Sequence, residues 1–456
     1  MNLNEAVLRY RDQIIESVQE NVRIPSVQGE AKPGAPFGEG VRRSLRHALN
    51  TAETLGFRVA NLDNYIGWAE YGEGDEMVAV LGHLDVVPEG DGWSCDPYGG
   101  IIRDGKIMGR GTTDDKGPSI AALYAMAALR DSGLSIRRRI RVLLGCNEET
   151  GSADINYYLS HNGEIPVMGF TPDGEYPVIN GEKGIITACF KTNFRQSADL
   201  QLLSIQGGTA PNVVPGYASA EFSCTAETAK EIMGIPQPNI QFSETEKGFR
   251  MEAFGLSAHG STPELGENAI GRLLIAMTAL PLSEELAQKI HFLAERIGME
   301  TDGTSAGISL QDAVSGKLSV NLGRIDSDGD SMTLWINYRY PVTFSYEDCG
   351  PKFNALFTNA GFEILREGYK DKLYIPEDSE LVTKLMKVYR EQTGRMEPPK
   401  CIGGGTYAKS IPNLLAFGPI FPGDELCEHK PDEYITIDSL IKNTQIIAHA
   451  MYELAK

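Results

Sequence analysis

The chain has 456 residues and a formal net charge of −20, from 62 acidic against 42 basic side chains, with 41% hydrophobic and 23% charged residues. That apolar content sets aside intrinsic disorder and can build a sizeable core; at about 150 residues per domain it predicts two or three domains. The acidic balance argues against a grip on a nucleic-acid backbone and against an anionic membrane surface, so neither is expected as a partner.

Residues 1–22 predict an amphipathic helix without a signal-peptide core, and 42–55 a second helix ended by Gly56. Short strands follow at 67–71 and 77–82. The second is the unbroken apolar run MVAVLG, which fits a strand buried on both faces. An alanine-rich helix over 117–129 precedes another mostly apolar strand at 140–144. This alternation implies an α/β fold, a helix-covered mixed sheet with its functional groups at strand ends.

Between 183 and 376 the pattern changes to shorter alternating strands (218–224, 248–256, 332–340) and two helices near 270–280 and 283–298. Helices over 379–393 and 438–454 close the chain. The expected organisation is a discontinuous catalytic domain, 1–182 and 377–456, with an inserted α+β lid domain, 183–376. No apolar run approaches the roughly 18 residues of a membrane helix. Seven scattered cysteines without a CxxC pair fit a reducing compartment, so a cytoplasmic protein is expected.

Of the seven histidines, His47, His161, His291 and His449 read as surface or helix-packing residues. His83 closes the buried strand in GHLD, and Asp85, two residues on, shares its face. GRGTTDDKG sets Asp114 and Asp115 at a helix start. Two acids cap one helix end little better than one, so the pair predicts a second task, such as a carboxylate that bridges two cations. Glu148 and Glu149 follow the second apolar strand, where they repel each other unless positive charge lies nearby. Adjacent strand residues point in opposite directions, which suits one metal ligand and one general base. Asp173 in TPDGE and His429 in EHKPDEY complete a cysteine-free set of imidazoles and carboxylates. Such donors suit zinc, manganese or cobalt in a site other than a structural zinc.

In order along the chain, GHLDVVP, GRGTTDDKGP, NEETGS, TPDGEYP, GLSAHGSTPELGENA, GGGTYA and EHKPDEYI resemble the co-catalytic metallopeptidases. That family includes aminoacylases, carnosinases, succinyl-diaminopimelate desuccinylases and carboxypeptidase G2, and the wording is most similar to the PepV and Sapep type of bacterial dipeptidase. The resemblance implies a metal-dependent dipeptidase acting on short peptides with free termini, or alternatively an N-acyl-amino-acid amidohydrolase. By motif it implies two divalent ions, Zn2+ or Mn2+, one held by His83 and Asp173 and the other by Glu149 and His429, with Asp114 bridging them. Asp85 would orient His83. Glu148 would be the base that takes a proton from a metal-bridging water and delivers it to the leaving amine.

The inserted domain would add His259 as oxyanion donor, Asn212 as a substrate contact, and Arg339 as a clamp on the substrate's C-terminal carboxylate, a task that suits its fork. Gly405 and Thr406 would add donors to the same carboxylate. The long insertion resembles that of relatives that complete their site within one chain, so a monomer is expected. A non-catalytic binding protein on this scaffold would lack a ligand or the base, and every one is in place. A serine or cysteine hydrolase would need a nucleophile elbow, and Ser257-Ala258-His259 is not one.

Overall fold

In the computed structural model, which describes residues 2–456, the chain divides into two units. One comprises Met1–Asn180, Ile375–Lys400 and Thr406–Lys456, the other Gly181–Tyr374 and Cys401–Gly405.

In the first unit, neighbouring strands run in the order Arg58–Leu62, Ile66–Tyr71, Arg139–Gly145, Met77–His83, Met168–Thr171, Leu414–Ala416. The last four are mutually parallel and the first two antiparallel, so the sheet is mixed. Every residue of Met77–His83 is buried, as its unbroken apolar run predicts. His83 pairs with Gly145 at the end of the neighbouring strand. The loops that carry Asp85, Glu148 and Asp173 therefore all leave the carboxyl ends of adjacent parallel strands, the edge where α/β sheets assemble their sites.

The alanine-rich helix Lys116–Ser132 is buried from Lys116 to Leu129 and packs against Arg11–Val22, Ile437–Ala455 and the sheet. Its approach to the central strand explains Gly82: a Cβ there would lie 2.0 Å from the Ser119 Oγ. A small three-stranded sheet, Ile101–Arg103, Lys106–Met108 and Tyr434–Thr436, pairs Met108 with Tyr434. It thereby brings the loop before Asp114 beside the loop that carries His429. The expected single helix over 1–22 is instead two, Leu3–Leu8 and Arg11–Val22. At their junction the Tyr10 hydroxyl donates to Asp131 at 2.6 Å.

The second unit is an antiparallel sheet in the order Ile240–Thr245, Gly248–Phe254, Tyr217–Ser223, Gln201–Gly207, Ser319–Ser327, Ser331–Tyr340, Gly184–Asn193, Glu363–Lys370. Helices including Ala269–Met277 and Tyr346–Asn359 pack on it, as expected of an α+β insertion. Residues 401–405 differ from the sequence reading, which placed them with the catalytic domain. Their backbone is tied to the inserted unit: the Ile402 carbonyl accepts from the Lys183 N–H at 3.1 Å and the Gly403 carbonyl from Arg339 Nη1 at 2.6 Å. No helix among the described residues is long and apolar enough to cross a membrane.

Candidate metal centre

His83 is fully buried, and its Nδ1 lies 3.0 Å from the backbone carbonyl of Asp85. A carbonyl can only accept, so Nδ1 carries the proton and the lone pair of Nε2 faces the other way. There it meets Asp114 Oδ1 at 3.0 Å and Asp173 Oδ2 at 3.7 Å, yet it has no aligned hydrogen-bond partner. On the other side of Asp114, Oδ2 lies 2.9 Å from His429 Nε2, which is 3.3 Å from Glu149 Oε2.

The structure thus brings two donor groups together, His83/Asp114/Asp173 and Asp114/Glu149/His429, each with its donor atoms within 4.8 Å of one another. Asp114 belongs to both and turns one oxygen toward each imidazole. Two ligands about 2.0–2.2 Å from a common tetrahedral ion stand about 3.4 Å apart, close to these spacings. A buried imidazole nitrogen aimed without a hydrogen bond at two carboxylates is the arrangement a cation resolves. The donor set fits a divalent metal.

The electrostatics agree. Burial opposes a charge on His83, but Asp114, Asp173 and Asp85 hold its pKa well above the ordinary imidazole range. Asp114 and Glu149 push His429 up to about 11. The carboxylates thus favour positive charge at both rings, the charge that a metal ion would supply there in place of a proton. Burial first, then the charges of Asp173, Glu149 and Asp114, hold Glu148 well above a normal carboxylate, with His83 pulling the other way.

The loops are anchored by carboxylates that are not themselves in either donor group. Asp85 accepts from the N–H groups of Glu148 at 3.1 Å and Glu149 at 3.2 Å, so its carbonyl orients His83 while its carboxylate holds the glutamate pair. Both glutamates lie beyond the strand end at Gly145. Their directions are set by this turn and not by strand alternation. Asp115 is not a side-chain cap: its Oδ2 accepts from the His83 N–H at 3.1 Å and the Ser119 hydroxyl at 2.9 Å.

Two further anchors escaped the sequence reading. Buried Asp154 accepts from the N–H groups of Cys146 at 2.5 Å and Asn147 at 2.9 Å and from the Tyr407 hydroxyl. Buried Glu433 accepts from the N–H groups of Gly111, Thr113 and Asp114 at 3.1, 3.0 and 3.2 Å and pairs with Arg110 at 2.7 Å. The one signal for Glu433 was its place in the EHKPDEYI block that also carries His429. Glu433→Gln is expected to weaken metal binding about 10- to 100-fold, as loss of an outer partner does. Competition with a chelating dye measures this, and an unchanged affinity would contradict the anchoring role.

The inserted unit holds the remaining expected residues. His259 is exposed, with Nδ1 2.6 Å from the Ser261 hydroxyl. The next N–H, of Gly260, donates to the Asn212 carbonyl at 2.7 Å, so His259 and Asn212 sit side by side. Arg339 is 3% exposed; its Nε donates to Asn337 Oδ1 at 3.0 Å and its Nη1 to the Gly403 carbonyl. Burial pushes its pKa down to about 10. No carboxylate pairs with it among the described residues, which leaves a desolvated guanidinium suited to an anionic ligand. Gly405 belongs to the short segment beside it. Thr406 belongs to the first unit and caps the turn Tyr407–Ser410, its Oγ1 accepting from the Ala408 N–H at 3.2 Å.

A profile of peptidase family M20/M25/M40 matches residues 79–453. A protein of Bacillus subtilis (strain 168), provisionally named the dipeptidase YtjP, is 38% identical over 467 aligned positions that cover 100% of both chains. Human carnosine dipeptidase 1 superposes with a TM-score of 0.56 at 18% identity, over 99% of this chain and 98% of its own. An M20-family metallo-carboxypeptidase of Sulfolobus solfataricus gives a TM-score of 0.60 at 14% identity, over 97% and 99%. At these identities the two structures show a shared fold.

Proposed function

The chain belongs to peptidase family M20/M25/M40, and from that premise we propose a metal-dependent dipeptidase that hydrolyses the single peptide bond of short peptides with free termini. The observation that carries this reading is the pair of donor groups sharing Asp114 beside the half-buried Glu148. The provisional dipeptidase name of the Bacillus subtilis relative supports the substrate size.

Two divalent ions, Zn2+ or Mn2+, would be held by His83 and Asp173 on one side of Asp114 and by Glu149 and His429 on the other. When bound they supply polarisation of the scissile carbonyl and a water acidic enough to attack near neutral pH. Glu148 takes the proton from the attacking water and returns it to the leaving nitrogen. A carboxyl raised toward neutrality by burial can do both. Asp85 keeps Nδ1 of His83 protonated through its carbonyl and fixes the turn that carries Glu148 through its carboxylate. His259 donates to the oxyanion, and Asn212 contacts the substrate. Arg339 receives the C-terminal carboxylate, with the 403–405 segment beside it and Thr406 as a further donor.

The long insertion resembles that of relatives that complete their site within one chain, so a monomer is the expected assembly. Seven unpaired cysteines support a reducing, cytoplasmic setting.

The test is turnover, after metal readdition, of a free dipeptide, its N-acetyl derivative, a tripeptide and an N-succinyl amino acid. Cleavage confined to the free dipeptide is expected. Preference for the acylated compounds would move the protein to the amidohydrolase alternative. Arg339→Ala is expected to lower kcat/KM for the dipeptide by roughly 10- to 150-fold, the loss of a charge-assisted contact worth about 1.5–3 kcal/mol. The effect should fall mainly on KM, and steady-state kinetics separates the two constants.

A further inference from the structure

Helices cover one face of the inserted unit's sheet, and an open groove of about 650 Å3 lies along the other. Its floor is formed by Gly184–Asn193, Ser331–Tyr340 and the edge strand Glu363–Lys370. Strand alternation sends every second side chain into it: Trp335, Asn337 and Arg339 from one strand, Arg366 and Lys370 from the edge. Their neighbours Ile336 and Tyr338 are buried on the helix side.

The groove carries three cations and no carboxylate, in a chain whose net charge is −20. The nearby acids are engaged elsewhere. Glu367 accepts from the Tyr346 hydroxyl at 2.7 Å and from Asn354 at 3.0 Å, both on the covering helix. Asp371 accepts from the Tyr340 hydroxyl at 2.7 Å, and Asp326 pairs with Arg324 at 2.6 Å. Arg366 and Lys370 are exposed and have no ion-pair partner among the described residues. Arg339 and Lys370 both pair with Ile185, so they stand in one cross-strand row. Two strand spacings separate their backbones by about 10 Å.

We propose that this groove is a second carboxylate subsite, in which Arg366 and Lys370 receive the side-chain carboxylate of a C-terminal Asp or Glu whose main-chain carboxylate rests on Arg339. The inference rests on the dipeptidase reading, in which Arg339 holds that terminus. The lengths agree. Bonds of about 1.5 Å put the two carboxylates of a C-terminal glutamate about 5 Å apart. The flexible four-carbon arm of Lys370 spans the rest of the row. The preferred substrates are then dipeptides with an acidic second residue.

The experiment compares kcat/KM for Ala-Glu and Ala-Gln, which match in size and differ in one charge. Wild type is run beside the Arg366→Ala/Lys370→Ala double variant, at low and high salt. In the wild type the ratio is expected to favour Ala-Glu by about tenfold or more, to fall as salt screens the exposed cations, and to drop to near one in the double variant. A wild-type ratio near one, or a preference unchanged in the variant, overturns the subsite while leaving the dipeptidase reading intact. The salt dependence of the wild type decides the matter even if the variant does not fold. Turnover of neither peptide by the metal-loaded wild type would overturn the dipeptidase reading, and the subsite with it.

Discussion

Glu148→Gln is expected to lower kcat on a dipeptide by about 10^2- to 10^4-fold, the usual contribution of a positioned general base. Glutamine keeps the shape and the backbone N–H that Asp85 holds at 3.1 Å, so the turn stays in place. It cannot take a proton from the attacking water or return one to the amine. Neither donor group includes Glu148, so the variant should still bind two ions per chain, and KM should change far less than kcat. Steady-state kinetics beside a metal titration separates these outcomes. A variant that keeps more than a tenth of wild-type kcat would remove Glu148 from the base role, since general-base catalysis supplies about a hundredfold at the least. A variant that loses both activity and metal would make Glu148 a ligand instead.

The second large effect is expected from Asp114. It alone belongs to both donor groups, with Oδ1 3.0 Å from His83 Nε2 and Oδ2 2.9 Å from His429 Nε2. Asp114→Asn replaces one oxygen by an amide that offers no lone pair, so one of the two groups loses a ligand and the bridge is broken. Binding is expected to fall from two ions to one or none, with activity lost over the same range of metal concentration. Chelation of the wild type should likewise abolish turnover, and readdition of Zn2+ or Mn2+ should restore it. Two tightly bound ions in Asp114→Asn would show that the carboxylate does not bridge.

Much of this architecture is legible in the sequence, because the features that matter are local. The unbroken run Met77–Gly82 signals a doubly buried strand before any coordinates, and the structure buries all of Met77–His83. His83 ends a strand, Glu149 and Asp173 follow one and Asp114 precedes a helix, each in a short motif. The parallel topology carries the strand-end residues to one edge, and the small antiparallel sheet brings the loops of Asp114 and His429 together. What the sequence does not show is how the backbone is held. That Asp85 orients His83 through its carbonyl, and spends its carboxylate on the N–H groups of Glu148 and Glu149, depends on a turn no periodicity predicts.

Glu433 is the clearest case. It lies 319 positions from Asp114 in the chain yet accepts that residue's N–H, through a pairing of two three-residue strands too short to leave a pattern. The 401–405 segment joins the inserted unit through two long-range bonds that no local pattern announces, from the Lys183 N–H to the Ile402 carbonyl and from the Arg339 guanidinium to the Gly403 carbonyl.

The most direct test of the central claim is an anomalous difference map from crystals of the wild type grown with Zn2+. The account predicts two peaks about 3.5–4 Å apart, the separation of co-catalytic ions. One should lie between His83 and Asp173 and the other between Glu149 and His429, with Asp114 reaching both. A single peak, or two peaks that do not share Asp114, would contradict the account.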